Sequence, residues 1–209
     1  MTPRIVVFGA GSIGCHLGTR LAAHVPVTLI GRPRLGEAIA RQGLHATAFD
    51  GTDVRIEPVG VRFSVSPDAA HDAGLVLVTV KSADTSQAAN ELASVLAPGS
   101  LVVSFQNGLR NADVLVAALP HCRVLAGMTP FNVVQLEPGH THQATSGELM
   151  VQADAALAPF LPAFAAAGLP LQQRADMPAV MAGKLLLNLN NALNALSGVP
   201  LKQQLETRN

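Results

Sequence analysis

The chain has no tryptophan and no tyrosine, and only seven phenylalanines among its 209 residues. Without tyrosine, a short-chain dehydrogenase is excluded, because its proton relay needs a Tyr-x-x-x-Lys pair. Cysteine is nearly absent too. Cys15 and Cys122 lie far apart in sequence, which makes no disulfide framework and fits a reducing cytosol. Cys15 reads as a packed thiol, with a redox role as the alternative. Charge of one sign is also missing. Lys plus Arg equals Asp plus Glu at 14 each, with no like-charged block, so nothing points to nucleic acid or a membrane surface and the expected partner is a small molecule. No apolar run is long enough for a bilayer, since residues 155–169 are interrupted by Pro159 and Pro162. Met1 to Arg4 lead straight into an apolar strand and leave no room for a signal peptide, so a soluble cytoplasmic protein is expected.

What is present is apolar residues, 49% of the chain, enough for one sizeable core with part of a second domain attached. Ile5 to Phe8 form a short continuous apolar run, the mark of a strand buried on both faces of a parallel sheet. Gly9-Ala10-Gly11-Ser12-Ile13-Gly14 follows, and Ile13, Leu17 and Leu21 then recur at helical spacing. A G-x-G-x-x-G between a strand and a helix is far more specific than the bare pattern. Gly9 allows the tight turn, Gly11 admits a diphosphate to the backbone, and Gly14 lets the helix lie close to the strand. Residues 9–14 are therefore the expected cofactor seat, with phosphates on the free N–H groups of the helix start.

Val27 to Ile30 read as a second buried strand ending at Gly31-Arg32-Pro33-Arg34. An acid at this strand end would pair with the ribose hydroxyls of NAD. Here Arg32 stands instead, and a guanidinium suits a 2′-phosphate, which favours NADP(H). Residues 44–48 and 54–59, flanking Asp50-Gly51, suggest a hairpin decorating the sheet. The apolar strand at residues 75–80 delivers Lys81 to its carboxyl end. The strand at 101–105 delivers Gln106-Asn107-Gly108 to the same edge, where open α/β sheets bind ligands. Helices are expected over 85–96 and 111–119, with a strand at 124–127. Asn107 before Gly108 is open to two readings, a ligand contact or a turn former.

Beyond Val133 the pattern changes to a hairpin at 133–145, a short strand at 148–152, a helix at 155–167 kinked or divided by its prolines, and a strand at 169–173. His140 and His142 fall on one side of a strand, but no third ligand has supporting spacing, so no metal is expected. Asp176-Met177-Pro178 marks a last helix start. In that helix Lys184, Asn188 and Asn191 fall at i, i+4 and i+7 on one face of an otherwise apolar surround. Such a row either meets water or lines a polar cavity, since unpaired amides and ammonium groups are costly to bury.

Taken together, the glycine turn, Arg32, VTVKSADT with Lys81, SFQNG with Asn107, GMTPFN at 127–132 and the K-x-x-x-N helix resemble the ketopantoate reductase family over essentially the whole chain. The resemblance implies a doubly wound, Rossmann-type, mostly parallel α/β sheet over residues 1–174. It also implies the start of an all-helical second domain over 175–209, with the chain a fragment that stops inside it. It further implies NADPH-dependent reduction of 2-dehydropantoate, with Lys184 as proton donor and Asn188 on the substrate. Lys81 and Asn107 would line the cofactor and substrate cleft, and a main-chain contact to the cofactor would fall near Val133. The family's second asparagine, four residues after the one matching Asn188, is here Ala192; Asn191 lies one earlier. A serine and a glutamate of the family's helical domain fall beyond Asn209, and a homodimer through that domain is left open. Reduction of another small branched 2-oxo acid, and non-catalytic sensing of the NADP(H) pool, are the competing functions.

Overall fold

The computed structural model describes residues 4–198. β1 (Ile5–Phe8) is completely buried, and its alternate side chains enter two different apolar layers. Ile5 and Val7 pack on one face of the sheet with Leu17, Leu21 and Leu29. Val6 and Phe8 pack on the other with Val76, Val78 and Leu92. Covering both faces explains why the strand is apolar throughout rather than alternating.

The glycine turn leads into α1 (Ser12–Ala22), then β2 (Val27–Ile30) and α2 (Pro33–Gln42). α2 occupies a stretch whose Pro33 reads as a turn residue; proline at the first helical position is compatible with a helix because its missing N–H has no intrahelical partner there. Next come β3 (Leu44–Ala48), β4 (Asp53–Ile56), β5 (Arg62–Ser64), β6 (Leu75–Val78) and α3 (Thr85–Ala93). β7 (Leu101–Ser104), α4 (Asn111–Ala118) and β8 (Arg123–Met128) complete the alternating part. β9 (Val133–Glu137), β10 (His140–Gln143), β11 (Leu149–Gln152), α5 (Leu161–Ala166), β12 (Leu171–Arg174) and α6 (Met177–Ser197) follow.

The main sheet has eight strands in the order β12-β11-β8-β7-β6-β1-β2-β5. It is parallel except where β11 meets β8, so the fold is doubly wound α/β. The chain winds outward from β1 to β2 and β5, then returns to β6 on the other side of β1. That reversal opens the crevice beside the carboxyl end of β1.

The hairpin of β3 and β4 does not decorate this sheet. It pairs with the β9–β10 hairpin, β10 running parallel to β3, to give a separate four-stranded sheet in the order β4-β3-β10-β9. Leu44, Ala46, Ala48, Thr141 and Gln143 form its buried side, which packs on α1. The expected helix at 155–167 is divided by its prolines into a 3-10 turn, Ala155–Leu157, and the short α5. Arg20 closes the end of α5 by donating from Nε to the Ala167 carbonyl at 3.0 Å. No helix among the described residues is long and apolar enough to cross a membrane.

Candidate active site

Gly9 has φ +103°, and a Cβ there would fall 2.7 Å from the Val80 nitrogen. At Gly14 a Cβ would fall 2.5 Å from the Gly9 carbonyl and 2.6 Å from Thr79 Oγ1, so helix, turn and strand meet at a distance only glycine permits. Thr79 Oγ1 also donates to the Gly9 carbonyl at 2.8 Å, which pins the turn to the end of β6. Gly11, by contrast, is exposed with open space where its side chain would be. It is the N-cap of α1, with no side-chain cap and no acid in the first turn. The first N–H groups of α1, at the half-exposed Ser12 and Ile13, therefore stand beside Ala10 without a built-in anion. Cys15, just behind them, is buried; desolvation raises its thiol to about 12, and Sγ lies 3.3 Å from the Ala10 carbonyl, so it is an inert packed group.

Arg32 is exposed at the carboxyl end of β2, where it precedes α2 as its N-cap without a side-chain cap bond. Lys81 is exposed beyond β6, and Asn107 is exposed beyond β7. The two loops that carry them are knotted together by buried polar groups. The Gln106 amide donates to the Val80 carbonyl at 3.0 Å and to Thr85 Oγ1 at 2.7 Å, while its oxygen accepts from Ser104 Oγ at 3.0 Å. Thr85 Oγ1 donates to Asn111 Oδ1 at 3.0 Å, and Asn111 Nδ2 donates to Ser82 Oγ at 3.0 Å and to the Asn107 carbonyl at 2.6 Å. Gln106 and Asn111 carry no evident role in the sequence. The signal for Gln106 is a polar residue directly after an apolar strand, which a turn explains equally well, and Asn111 reads only as a polar residue at a helix start.

β8 ends in the same edge, and a strap, residues 129–132, crosses from it to β9. Thr129 is buried, and its hydroxyl has no partner among the described residues. Lys184 on α6 donates from Nζ to the Pro130 carbonyl at 3.2 Å. Lys184 and Asn188 are half-buried, whereas Leu186 and Leu187 are each 66% exposed and Leu189 is 50% exposed. α6 packs against β8 and β11, and among its described side chains Lys184 turns toward the strap while Leu186, Leu187 and Leu189 lie outward, the reverse of an ordinary amphipathic helix. Lys184 and Asn188 are thus less exposed than Leu186, Leu187 and Leu189 on the same helix. The side chain of Asn191 lies outside the described residues. Val133 opens β9 immediately after the strap, in the smaller sheet and opposite Gln143.

His140 and His142 project from the outer face of that smaller sheet. His140 stacks on His45 with ring centroids 4.1 Å apart, and burial, followed by His45 beside it, lowers its pKa from the usual imidazole value. His142 Nδ1 lies 2.8 Å from Thr47 Oγ1. Among the described residues no group of three or more His, Cys, Asp or Glu could hold a metal ion.

The glycine turn, Lys81, Asn107 and Lys184 therefore lie along one carboxyl edge, over β1, β6, β7 and β8 in spatial order β8-β7-β6-β1. Comparison with known proteins gives the family. The profile of the family described as ketopantoate reductase PanE/ApbA matches residues 5–155. A 2-dehydropantoate 2-reductase of Halobacterium salinarum is 35% identical over 204 residues, covering 94% of this chain and 66% of that protein. The crystal structure of a PanE/ApbA family ketopantoate reductase from Ralstonia eutropha JMP134 superposes with TM-score 0.81 at 35% identity, covering 88% of this chain and 61% of that one. A 2-dehydropantoate 2-reductase from Geobacter metallireducens GS-15 gives TM-score 0.84 at 27% identity, over 95% of this chain and 67% of that one. The chain thus spans less than two thirds of the length of the first two.

Proposed function

The chain belongs to the PanE/ApbA ketopantoate reductase family of oxidoreductases, and from that membership we propose that it binds NADPH on the glycine turn and serves the reduction of 2-dehydropantoate to pantoate. Family and fold imply a nicotinamide dinucleotide. The choice of NADPH rests on Arg32, a planar cation where NAD binders carry an acid. The residues present fit such a group: Gly11 leaves open space above the uncapped start of α1, where a diphosphate meets free N–H groups.

Bound NADPH supplies the hydride that reduces the ketone carbon. The protein's part is to place and charge-balance the oxygen. Lys184 directs its ammonium at the carbonyl oxygen, stabilises the negative charge that grows there and delivers the proton that completes the alcohol. Asn188 and Asn191, one and two turns further along α6, hold the substrate's hydroxyl or carboxylate, and Asn107 with Lys81 sets nicotinamide and substrate in register. On this reading α6 begins a second helical domain, whose further part over 199–209 lies outside the described residues, in a cytoplasmic enzyme whose partner is a small 2-oxo acid.

The observation that carries this reading is the inverted face of α6, which holds a half-buried lysine on the strap after β8 and leaves leucines exposed. A sensor of the NADP(H) pool has no use for that arrangement. The test is a fluorescence titration with NADPH and NADH, followed by NADPH oxidation on adding ketopantoate. Preferential NADPH binding with ketopantoate-dependent oxidation is expected. Tight NADPH binding with no oxidation by ketopantoate or other branched 2-oxo acids favours the sensor.

A further inference from the structure

His16 is fully buried on α1, one turn past the glycine turn, and no part of the proposed reaction uses it. Its Nε2 lies 3.2 Å from Gln143 Oε1 and its Nδ1 lies 3.3 Å from Thr141 Oγ1, both on β10. The protons in this bridge can be placed. Gln143 Nε2 donates to the Thr145 carbonyl at 3.0 Å, so its oxygen faces the ring, His16 Nε2 carries the hydrogen and Nδ1 accepts from Thr141.

Thr145 is the next link. Its Oγ1 accepts from the Asn132 N–H at 2.9 Å, while the Ala144 N–H donates to the Asn132 carbonyl at 2.8 Å. Both bonds stitch residues 144–145 to the strap. Pro130 lies over Gly147, where a Cβ would come within 2.6 Å of its Cγ. Phe131, between them, is buried and meets the His16 ring edge-on at 6.1 Å. The strap therefore rests on His16 twice, through the Phe131 ring and through Gln143 and Thr145.

We infer that His16 is a positioning residue: it sets the strap against the helix of the glycine turn, so that the Pro130 carbonyl holds the Lys184 ammonium at a fixed place on the carboxyl edge. Its catalytic consequence rests on the proposed role of Lys184, whereas the geometric claim does not. The bridge is polar and buried, so an apolar ring of similar size removes both bonds while keeping contact with Phe131. Glutamine can restore a donor toward Gln143 and an acceptor toward Thr141.

The experiment compares His16→Phe and His16→Gln with the parent by reductive methylation with formaldehyde and cyanoborohydride, read at each lysine by peptide mass spectrometry. Lys81 is the internal control, because a separate knot seats its loop. In His16→Phe, loss of the strap's seat raises Lys184 methylation relative to Lys81 about 3- to 10-fold, the worth of a freed hydrogen bond. NADPH affinity stays within about 2-fold, and ketopantoate-dependent kcat falls about 10- to 100-fold, the scale of a misplaced catalytic group. His16→Gln returns the methylation ratio to that of the parent. An unchanged ratio in His16→Phe, an equal rise at both lysines, or failure of glutamine to restore the ratio overturns the inference. If the parent itself oxidises no NADPH with ketopantoate, the functional reading fails while the methylation ratio still decides the role of His16.

Discussion

His16 Nε2 and Gln143 Oε1 meet at 3.2 Å inside the protein, joining α1 to β10 across 127 residues of sequence. Burial, then the nearby Arg20, lowers the imidazole to about 4 against the opposing bond to Gln143; His142 adds a small push in the same direction as Arg20. The unfolded chain therefore takes up a proton near pH 6.5 that the folded chain refuses until about pH 4. Stability from this site is present above pH 6.5 and is lost as pH falls through that window. Between pH 7 and pH 4.5 the loss is about 2 kcal/mol. Urea denaturation at the two pH values checks it, and His16→Gln flattens the difference by about that amount.

The Gln106 knot gives a second expectation. Truncating Gln106 to alanine leaves the buried Ser104 Oγ without its partner, takes away the N–H that Thr85 Oγ1 accepts while its bond to Asn111 stays, and frees the Val80 carbonyl. A cost of about 2–4 kcal/mol in urea denaturation is expected, from a cavity plus an unsatisfied hydroxyl and carbonyl. Asn111→Ala, which cuts the Ser82 and Asn107 links, costs less because that end of the knot is nearer solvent, about 1–2 kcal/mol.

Arg32→Ala separates the two nicotinamide cofactors. Removing the proposed charge-assisted contact to the 2′-phosphate costs about 10- to 100-fold in NADPH affinity. NADH, which has no 2′-phosphate, loses about 2-fold or less. Fluorescence titration of both cofactors on both proteins reads the ratio directly.

Much of this molecule is legible from local pattern. β1 and β2 fall on the expected residues because apolar runs buried on both faces leave no choice of register. Pro159 and Pro162 divide the helix they interrupt. α2 is hidden because Pro33 and Gly36 mimic a turn, although Leu35, Ala38 and Ile39 give it a buried face. The smaller sheet is hidden for a different reason: β3 and β10 pair across some ninety residues, and nothing local to either hairpin encodes that pairing. The same holds within the site. Lys184 and Asn107 are marked by residue type and spacing, whereas Pro130 enters through a main-chain carbonyl and His16 through partners far along the chain.

Lys184→Ala tests the account most directly, in NADPH oxidation with saturating ketopantoate. Loss of the proposed proton donor lowers kcat by about 10²- to 10⁴-fold while NADPH affinity stays within about 2-fold. An alanine variant that oxidises NADPH at close to the parent rate contradicts the account.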